Sequence, residues 1–86
     1  MTYVEAVRFL KEQDRSIRKV NNTRFVEGGY EYRVTYEGGL ASFVAIDRRK
    51  IGKRKFEYFS GVSAVHCRTA EDVMKLVYDE VKGVAK

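Results

Sequence analysis

The side chains best suited to chemistry in this sequence are those of the segment "RRKIGKRK", residues 48 to 55. Six positive charges surround a central Ile51-Gly52 pair within eight positions. Basic groups at this density neutralise phosphates, and each contact releases counterions and strengthens binding without selecting a base sequence. The candidate phosphate contacts in the segment are Arg48, Arg49, Lys50, Lys53, Arg54 and Lys55.

The positive charge is concentrated in the middle of the chain. Residues 15 to 56 carry eleven basic and four acidic side chains, although the whole chain has a formal net charge of only +5. Such asymmetry favours association with polyanions and carries no information about fold. The basic residues that could assist the cluster are Arg15, Arg18, Lys19, Arg24 and Arg33.

The cluster has two interpretations. As a solvated hairpin tip, it would keep the protein soluble and protect a sheet edge from pairing. As a mobile basic finger, it would contact the phosphates of DNA or RNA. Pairing of residues 40–47 with 53–59 would set like charges opposite each other, which costs stability, so folding alone does not explain the cluster. Alanine substitutions in it are therefore expected to leave thermal stability unchanged or slightly raised.

We expect a non-enzymatic nucleic-acid-binding module. The alternative is a small interaction or inhibitor protein that docks its basic finger on an acidic protein surface. His66 and Cys67 are the only residues of their kinds, so one chain cannot assemble a histidine-cysteine metal cluster. Cys67 precedes a predicted helix whose N-terminus could lower the thiol pKa, and an inert half-buried thiol is the ordinary alternative. The sequence thus predicts no enzyme, cofactor or metal.

Length and composition predict one small folded domain. The chain has 86 residues, of which 44% are hydrophobic and 34% charged, enough for one modest core. No apolar run approaches the roughly 20 residues that cross a bilayer, and Glu5 and Arg8 interrupt the region where a signal peptide would be apolar. We therefore expect a cytoplasmic protein without membrane contact.

Two helices are predicted from their capping residues. Thr2 and Thr69 each precede an acidic residue by three positions, which is the capping-box spacing, and apolar residues then recur at helical spacing. These patterns predict helices over about 3–13 and about 70–82. Gly83 is suited to end the second helix.

Short turn dipeptides between the helices predict an antiparallel meander of three to five strands. The clearest strand is "YEYRVTYE", followed by an inner strand over 40–47; residues 54–67 are compatible with one long strand bent by a bulge at Gly61. Weaker strands are predicted over 16–20 and 23–27. Both helices are expected on one face of the sheet, which is the α+β class.

The aromatic residues also have two interpretations. Tyr30, Tyr32 and Tyr36 share a predicted strand face with Val34, and this apolar face is expected to receive the helices rather than to stack on bases. The same alternatives apply to Tyr58. Phe43 and Phe59 are expected on the opposite face, where exposed rings would be better stacking candidates.

In outline, this layout is similar to the double-stranded-RNA-binding domain. The second helix of that family opens with a lysine-rich, phosphate-gripping segment, whereas "TAEDVMKLVYDEV" opens with Glu71 and Asp72. The binding residues of that family are therefore not carried over. In size and layout alone, the chain is similar to the arm-binding domains of phage integrases and to phage-encoded inhibitors of host machinery.

Overall fold

The computed structural model describes residues 1–14 and 16–83. The elements follow in the order α1 (Tyr3–Gln13), a 3₁₀ helix (Ile17–Val20), β1 (Thr23–Glu27), β2 (Tyr30–Glu37), β3 (Phe43–Lys50), β4 (Glu57–Ser63) and α2 (Ala70–Lys82). The four strands form one antiparallel sheet in the order β1-β2-β3-β4. This architecture confirms the predicted α+β meander with a helix at each end. Neither α-helix is long and apolar enough to cross a membrane within the described residues.

Both α-helices begin at the predicted capping residues. The Thr2 hydroxyl accepts a hydrogen bond from the backbone N–H of Glu5 at 3.2 Å. At the second helix, Thr69 and Asp72 each accept a hydrogen bond from the other's backbone N–H, which completes a capping box. Gly83 ends α2 in the left-handed conformation with φ +67°. The predicted bounds of the two helices are confirmed.

The core lies between one face of the sheet and the helices. Its largest fully buried side chains are Phe25, Ile46, Met74, Val20, Val34, Val44, Val73 and Val77. Tyr32 and Tyr36 are 4% and 8% exposed, and Tyr30 packs against the same cluster while half-buried. The core interpretation is therefore confirmed for the tyrosines of β2. Tyr58 is 70% exposed and lies outside this core.

Two strand predictions differ from the structure, one in the kind of element and one in its bounds. Residues 17–20 form the 3₁₀ helix, because the Ser16 side chain caps it by accepting from the N–H of Arg18. The inner strand β3 begins three residues later than predicted, since Ser42 folds back and donates to the carbonyl of Gly39 at 2.9 Å. β3 also extends to residue 50, three residues beyond the predicted end, and carries the first half of the basic cluster.

The last strand also differs from its prediction. It occupies Glu57–Ser63, and residues after it turn, with the N–H of Cys67 donating to the carbonyl of Ala64 at 3.0 Å. The bulge is at Phe59 rather than Gly61, because Ser60 and Tyr58 pair with consecutive residues of β3. The extra residue turns its side chain toward the helices, where it meets Tyr32 edge-on at 5.5 Å between ring centroids. The expected position of Phe59 on the opposite face is therefore wrong.

The β1–β2 turn has a specific glycine requirement. Glu27 pairs with Tyr30, so the loop contains only Gly28 and Gly29, with φ values of +58° and +83°. Two positive values identify a type I′ turn, whose twist matches that of the flanking strands. The register of β1 therefore depends on this pair.

Replacing Gly29 with alanine is expected to lower the free energy of unfolding by about 1–2 kcal/mol, because a side chain is strained in the left-handed region. Gly28→Asn is the matched control, since asparagine is favoured at the first position of this turn. Urea denaturation followed by circular dichroism measures both. Equal losses in the two variants would contradict the assigned turn type.

Candidate functional site

The basic cluster begins on a strand rather than in a free loop. Arg48, Arg49 and Lys50 are the last residues of β3. On one side Glu31 of β2 lies opposite Arg49, and on the other Glu57 of β4 lies opposite Arg48. The expected opposition of like charges across the hairpin therefore does not occur. Acidic residues face these arginines from the neighbouring strands.

A tight turn connects β3 to the second half of the cluster. The N–H of Lys53 donates to the carbonyl of Lys50 at 2.9 Å, and Gly52 between them has φ +98°. The N–H of Ile51 also donates to the carbonyl of Gly29 at 3.1 Å, which ties this turn to the β1–β2 turn. The base of the predicted finger is thus anchored to the sheet.

Arg49 is a structural residue as well as a candidate contact. Its Nη2 lies 2.6 Å from Oε1 of Glu31, and its Nε donates to the same oxygen at 2.7 Å. Its Nη1 donates to the carbonyl of Arg54 at 3.2 Å. The guanidinium carbon also lies 4.6 Å from the centroid of the Phe56 ring. Arg49 therefore holds the loop of the finger against the sheet.

Arg48 is held by aromatic rings. Its guanidinium carbon lies 4.3 Å from the centroid of Tyr30 and 4.6 Å from that of Phe59. Cation–π contacts of this kind are electrostatic and stronger where water is partly excluded, and Arg48 is half-buried. The bulge at Phe59 supplies one of the two rings, so the backbone irregularity of β4 positions this arginine.

Together these residues form a concave surface that we call the basic groove. It is lined by Tyr30, Arg48, Arg49, Lys50, Lys53, Arg54, Lys55 and Glu57. Six of these eight side chains are cationic and one is acidic. The four cations beyond the two arginines of β3 are solvent-exposed. The sequence-predicted residues 48–55 are therefore gathered on one surface, which can present several positive charges to a polyanion.

Arg24 and Arg33 meet Arg49 on the other face of the sheet. Their guanidinium carbons lie 5.2 and 4.3 Å from the centroid of Phe56, so one ring receives three arginines. Arg33 also forms an ion pair with Asp47 at 2.9 Å. From the sequence alone, Phe56 had no predicted role. Its only local signal is an aromatic residue that interrupts a charged run.

The remaining assisting residues are elsewhere. Arg18 and Lys19 belong to the 3₁₀ helix, which adjoins the end of β2 where Asn21 accepts a hydrogen bond from the N–H of Tyr36. That end is about 15–20 Å along the strand from the groove. Lys19 instead lines a separate hollow with Arg24. Arg15 lies outside the described residues.

The structure gives no sign of an activated thiol. Burial of Cys67 raises its pKa, and the carboxylate of Asp72 raises it further. The raised pKa agrees with the interpretation of an inert, half-buried thiol, because the Asp72 carboxylate already occupies the helix N-terminus. Hydrogen bonds from the backbone N–H of Arg68 and Thr69 lower the pKa of Asp72 itself. Within residues 1–14 and 16–83, no three histidine, cysteine or acidic side chains are grouped as metal ligands.

Comparison with known proteins does not define this surface. No family model matches the chain, and no curated protein or solved structure matches it. Functional inference therefore depends on the geometry and charge of the residues described above.

The two halves of the cluster should differ in their effect on stability. Arg49→Ala is expected to lower the free energy of unfolding by about 1–2 kcal/mol, because it removes an ion pair and a cation–π contact. The Lys53→Ala, Arg54→Ala double variant should leave it nearly unchanged, since both side chains are exposed. The expected loss for Arg49→Ala differs from the sequence-based expectation that alanine substitutions anywhere in the cluster leave thermal stability unchanged or slightly raised. Thermal unfolding of both variants tests it, and equal stabilities would contradict the clamp assigned to Arg49.

The rate of Cys67 alkylation by iodoacetamide should report the raised thiol pKa. The thiolate is the reacting form, so in the folded protein the midpoint of the rate–pH profile should lie above the ordinary value of 9.0. In urea the midpoint should return to that ordinary value. The midpoint of the profile reports the thiol pKa, whereas the accessibility of the thiol to the reagent changes only the plateau rate. A folded-state midpoint below the urea value would contradict the assignment.

Proposed function

We propose that the protein is a non-enzymatic nucleic-acid-binding module whose basic groove contacts backbone phosphates. The observation that supports this proposal is the lining of the groove, where six cations accompany one carboxylate. Each phosphate neutralised there would release counterions, which gives affinity without base selection. The enclosing residues come from three strands and one loop, so the charges are held at one end of the sheet.

The cations of the groove differ in mobility, which suits phosphate binding. Arg48 and Arg49 are immobilised by rings and by Glu31, so their guanidinium groups lose little further entropy when they bind. Lys53 and Lys55 are exposed, and the four-carbon stem of a lysine lets its charge follow a phosphate through small displacements. The fixed arginines would set the position of the nucleic-acid backbone, and the lysines would add affinity.

The composition of the groove favours nucleic acid over an acidic protein surface. Lysine is depleted in the buried centres of protein interfaces, whereas contacts to phosphate oxygens commonly use lysine and arginine. Three of the six cations in the groove are lysines. An acidic protein that binds the same residues is the alternative outcome of the experiment below.

The test is a fluorescence anisotropy titration with labelled single-stranded DNA, duplex DNA and duplex RNA at several salt concentrations. We expect micromolar or tighter affinity at physiological salt for at least one of them, with a logarithmic salt slope of about −3 or steeper if four phosphates are contacted. The Lys53→Ala, Arg54→Ala variant should bind several-fold more weakly, with a slope shallower by about 1.5.

A matched control separates the groove from net charge. Arg8→Ala, Lys75→Ala removes two exposed cations from α1 and α2 and should leave affinity almost unchanged. Equal weakening in both double variants would mean that binding follows net charge alone and would overturn the proposal. Absence of nucleic-acid binding, together with groove-dependent capture of one acidic protein after nuclease treatment, would favour the inhibitor alternative.

A further inference from the structure

The face of the sheet opposite the helices carries exposed aromatic rings. Strand alternation places Phe43 of β3 and Tyr58 of β4 on this open face, together with Arg24 and Arg33. Phe43 is 39% exposed and Tyr58 is 70% exposed. Large exposed rings on a sheet have no role in the core, which lies on the other face. They are therefore available to a ligand.

Gly61 brings the two rings together. A Cβ atom at this position would lie 2.5 Å from Cζ of Phe43 and 2.9 Å from the hydroxyl oxygen of Tyr58. Both side chains therefore approach the glycine backbone closely enough that a larger residue would displace them. We call Phe43 and Tyr58, with Gly61 beneath them, the aromatic platform. The two side chains can approach each other in this way because position 61 of β4 carries no side chain.

The aromatic platform on the open face is connected to the basic groove through Arg49. Tyr58 lies opposite Asp47 of β3, the ion-pair partner of Arg33. Arg33 in turn stacks on Phe56, as does Arg49, which also lines the groove. From Phe43 to Arg49, β3 covers about 20 Å. One extended ligand could therefore contact both surfaces.

The two surfaces have different charge. On the platform side, Asp47 offsets the charge of Arg33 and Glu31 offsets that of Arg49, so the rings lie in nearly neutral surroundings. In the groove, the five cations other than Arg49 outnumber the one carboxylate by four. Neutral stacking surfaces suit bases, and uncompensated cations suit phosphates. This pairing matches the chemistry of a nucleic-acid strand.

We infer, on the basis of the proposed function, that the ligand is single-stranded nucleic acid whose bases stack on Tyr58 and Phe43 while its phosphates enter the basic groove. In a duplex the base faces are already stacked on one another, so only an unpaired strand can use the platform. The stacking is tolerant of sequence because every base has a π face. The protein should therefore prefer single strands to duplexes and should not prefer a particular base sequence.

The first test compares Tyr58→Ala with Tyr58→Phe in the anisotropy assay. Loss of one stacking contact should weaken binding of oligothymidylate roughly 5- to 100-fold. The phenylalanine variant should bind like the parent protein, because it keeps the ring. The salt slope of Tyr58→Ala should stay unchanged, since an aromatic contact releases no counterion. Affinity for duplex DNA of the same length should not change in either variant.

The second test observes stacking directly. The chain contains no tryptophan, so Tyr58→Trp introduces a single fluorescent indole on the platform. Its emission should be quenched by oligothymidylate and much less by an equimolar duplex. Val4→Trp is the matched control, because Val4 is 63% exposed on α1 and lines a hollow made only of α1 residues, and its emission should not respond.

These measurements distinguish the two proposals. Equal affinity for single strands and duplex, with no effect of Tyr58→Ala and no quenching at position 58, would overturn the platform inference and leave phosphate binding by the groove intact. Failure of the parent protein to bind any of the nucleic acids would overturn the proposed function and this inference together. Loss of single-strand affinity in Tyr58→Ala with retention in Tyr58→Phe would support the inference.

Discussion

Two short helices can bury only one face of a four-stranded sheet, and this one-sided burial determines the rest of the molecule. The core on this face contains the largest fully buried apolar side chains, from Phe25 in β1 to Val77 in α2. At the groove end of the sheet, Tyr30 of β2 and Arg48 of β3 are only half-buried, and Lys50 is exposed. Side chains there must stabilise one another through contacts outside the core. Those on the open face must do so without a covering layer of helices.

Arginine stacking on aromatic rings supplies that stabilisation. Phe56 on the open face and the pair of Tyr30 and Phe59 on the helix side each receive guanidinium groups. A planar guanidinium can stack on a ring and donate hydrogen bonds at its edge, whereas an ammonium group is compact and strongly hydrated. This difference explains why the two half-buried positions of the basic cluster, 48 and 49, are arginines that contribute to the fold. Lys50 at the end of β3 and the three cations of the loop are exposed and free for contacts with a ligand.

The bulge at Phe59 connects backbone geometry with the candidate site. With one extra residue in β4, Tyr58 points to the open face while Phe59 turns toward the helices and reaches Arg48. A regular strand would alternate sides without interruption. Tyr58 and Gly61 are three residues apart, so in a regular strand they could not both lie on the open face, as they do here. The same irregularity therefore serves the aromatic platform and the basic groove.

Much of the fold was predictable because it follows local rules. Thr2, Thr69 and Gly83 mark the helix ends through hydrogen bonds within a few residues of the chain, and the alternation of β2 alone assigns its tyrosines to the core. The density of charge in residues 48–55 likewise identified a candidate site without any structure. Errors arose where the chain turns irregularly, at the 3₁₀ helix and at the bulge.

The sequence by itself determined the class of fold, the helix bounds and the positive segment, because periodicity, capping and charge are properties of neighbouring residues. Only the tertiary structure decided which cations are held and which are free. Glu31 is 18 residues from Arg49, and Phe56 meets arginines from three different strands. Such partners are chosen by strand register, which depends on the packing of the whole sheet against its helices.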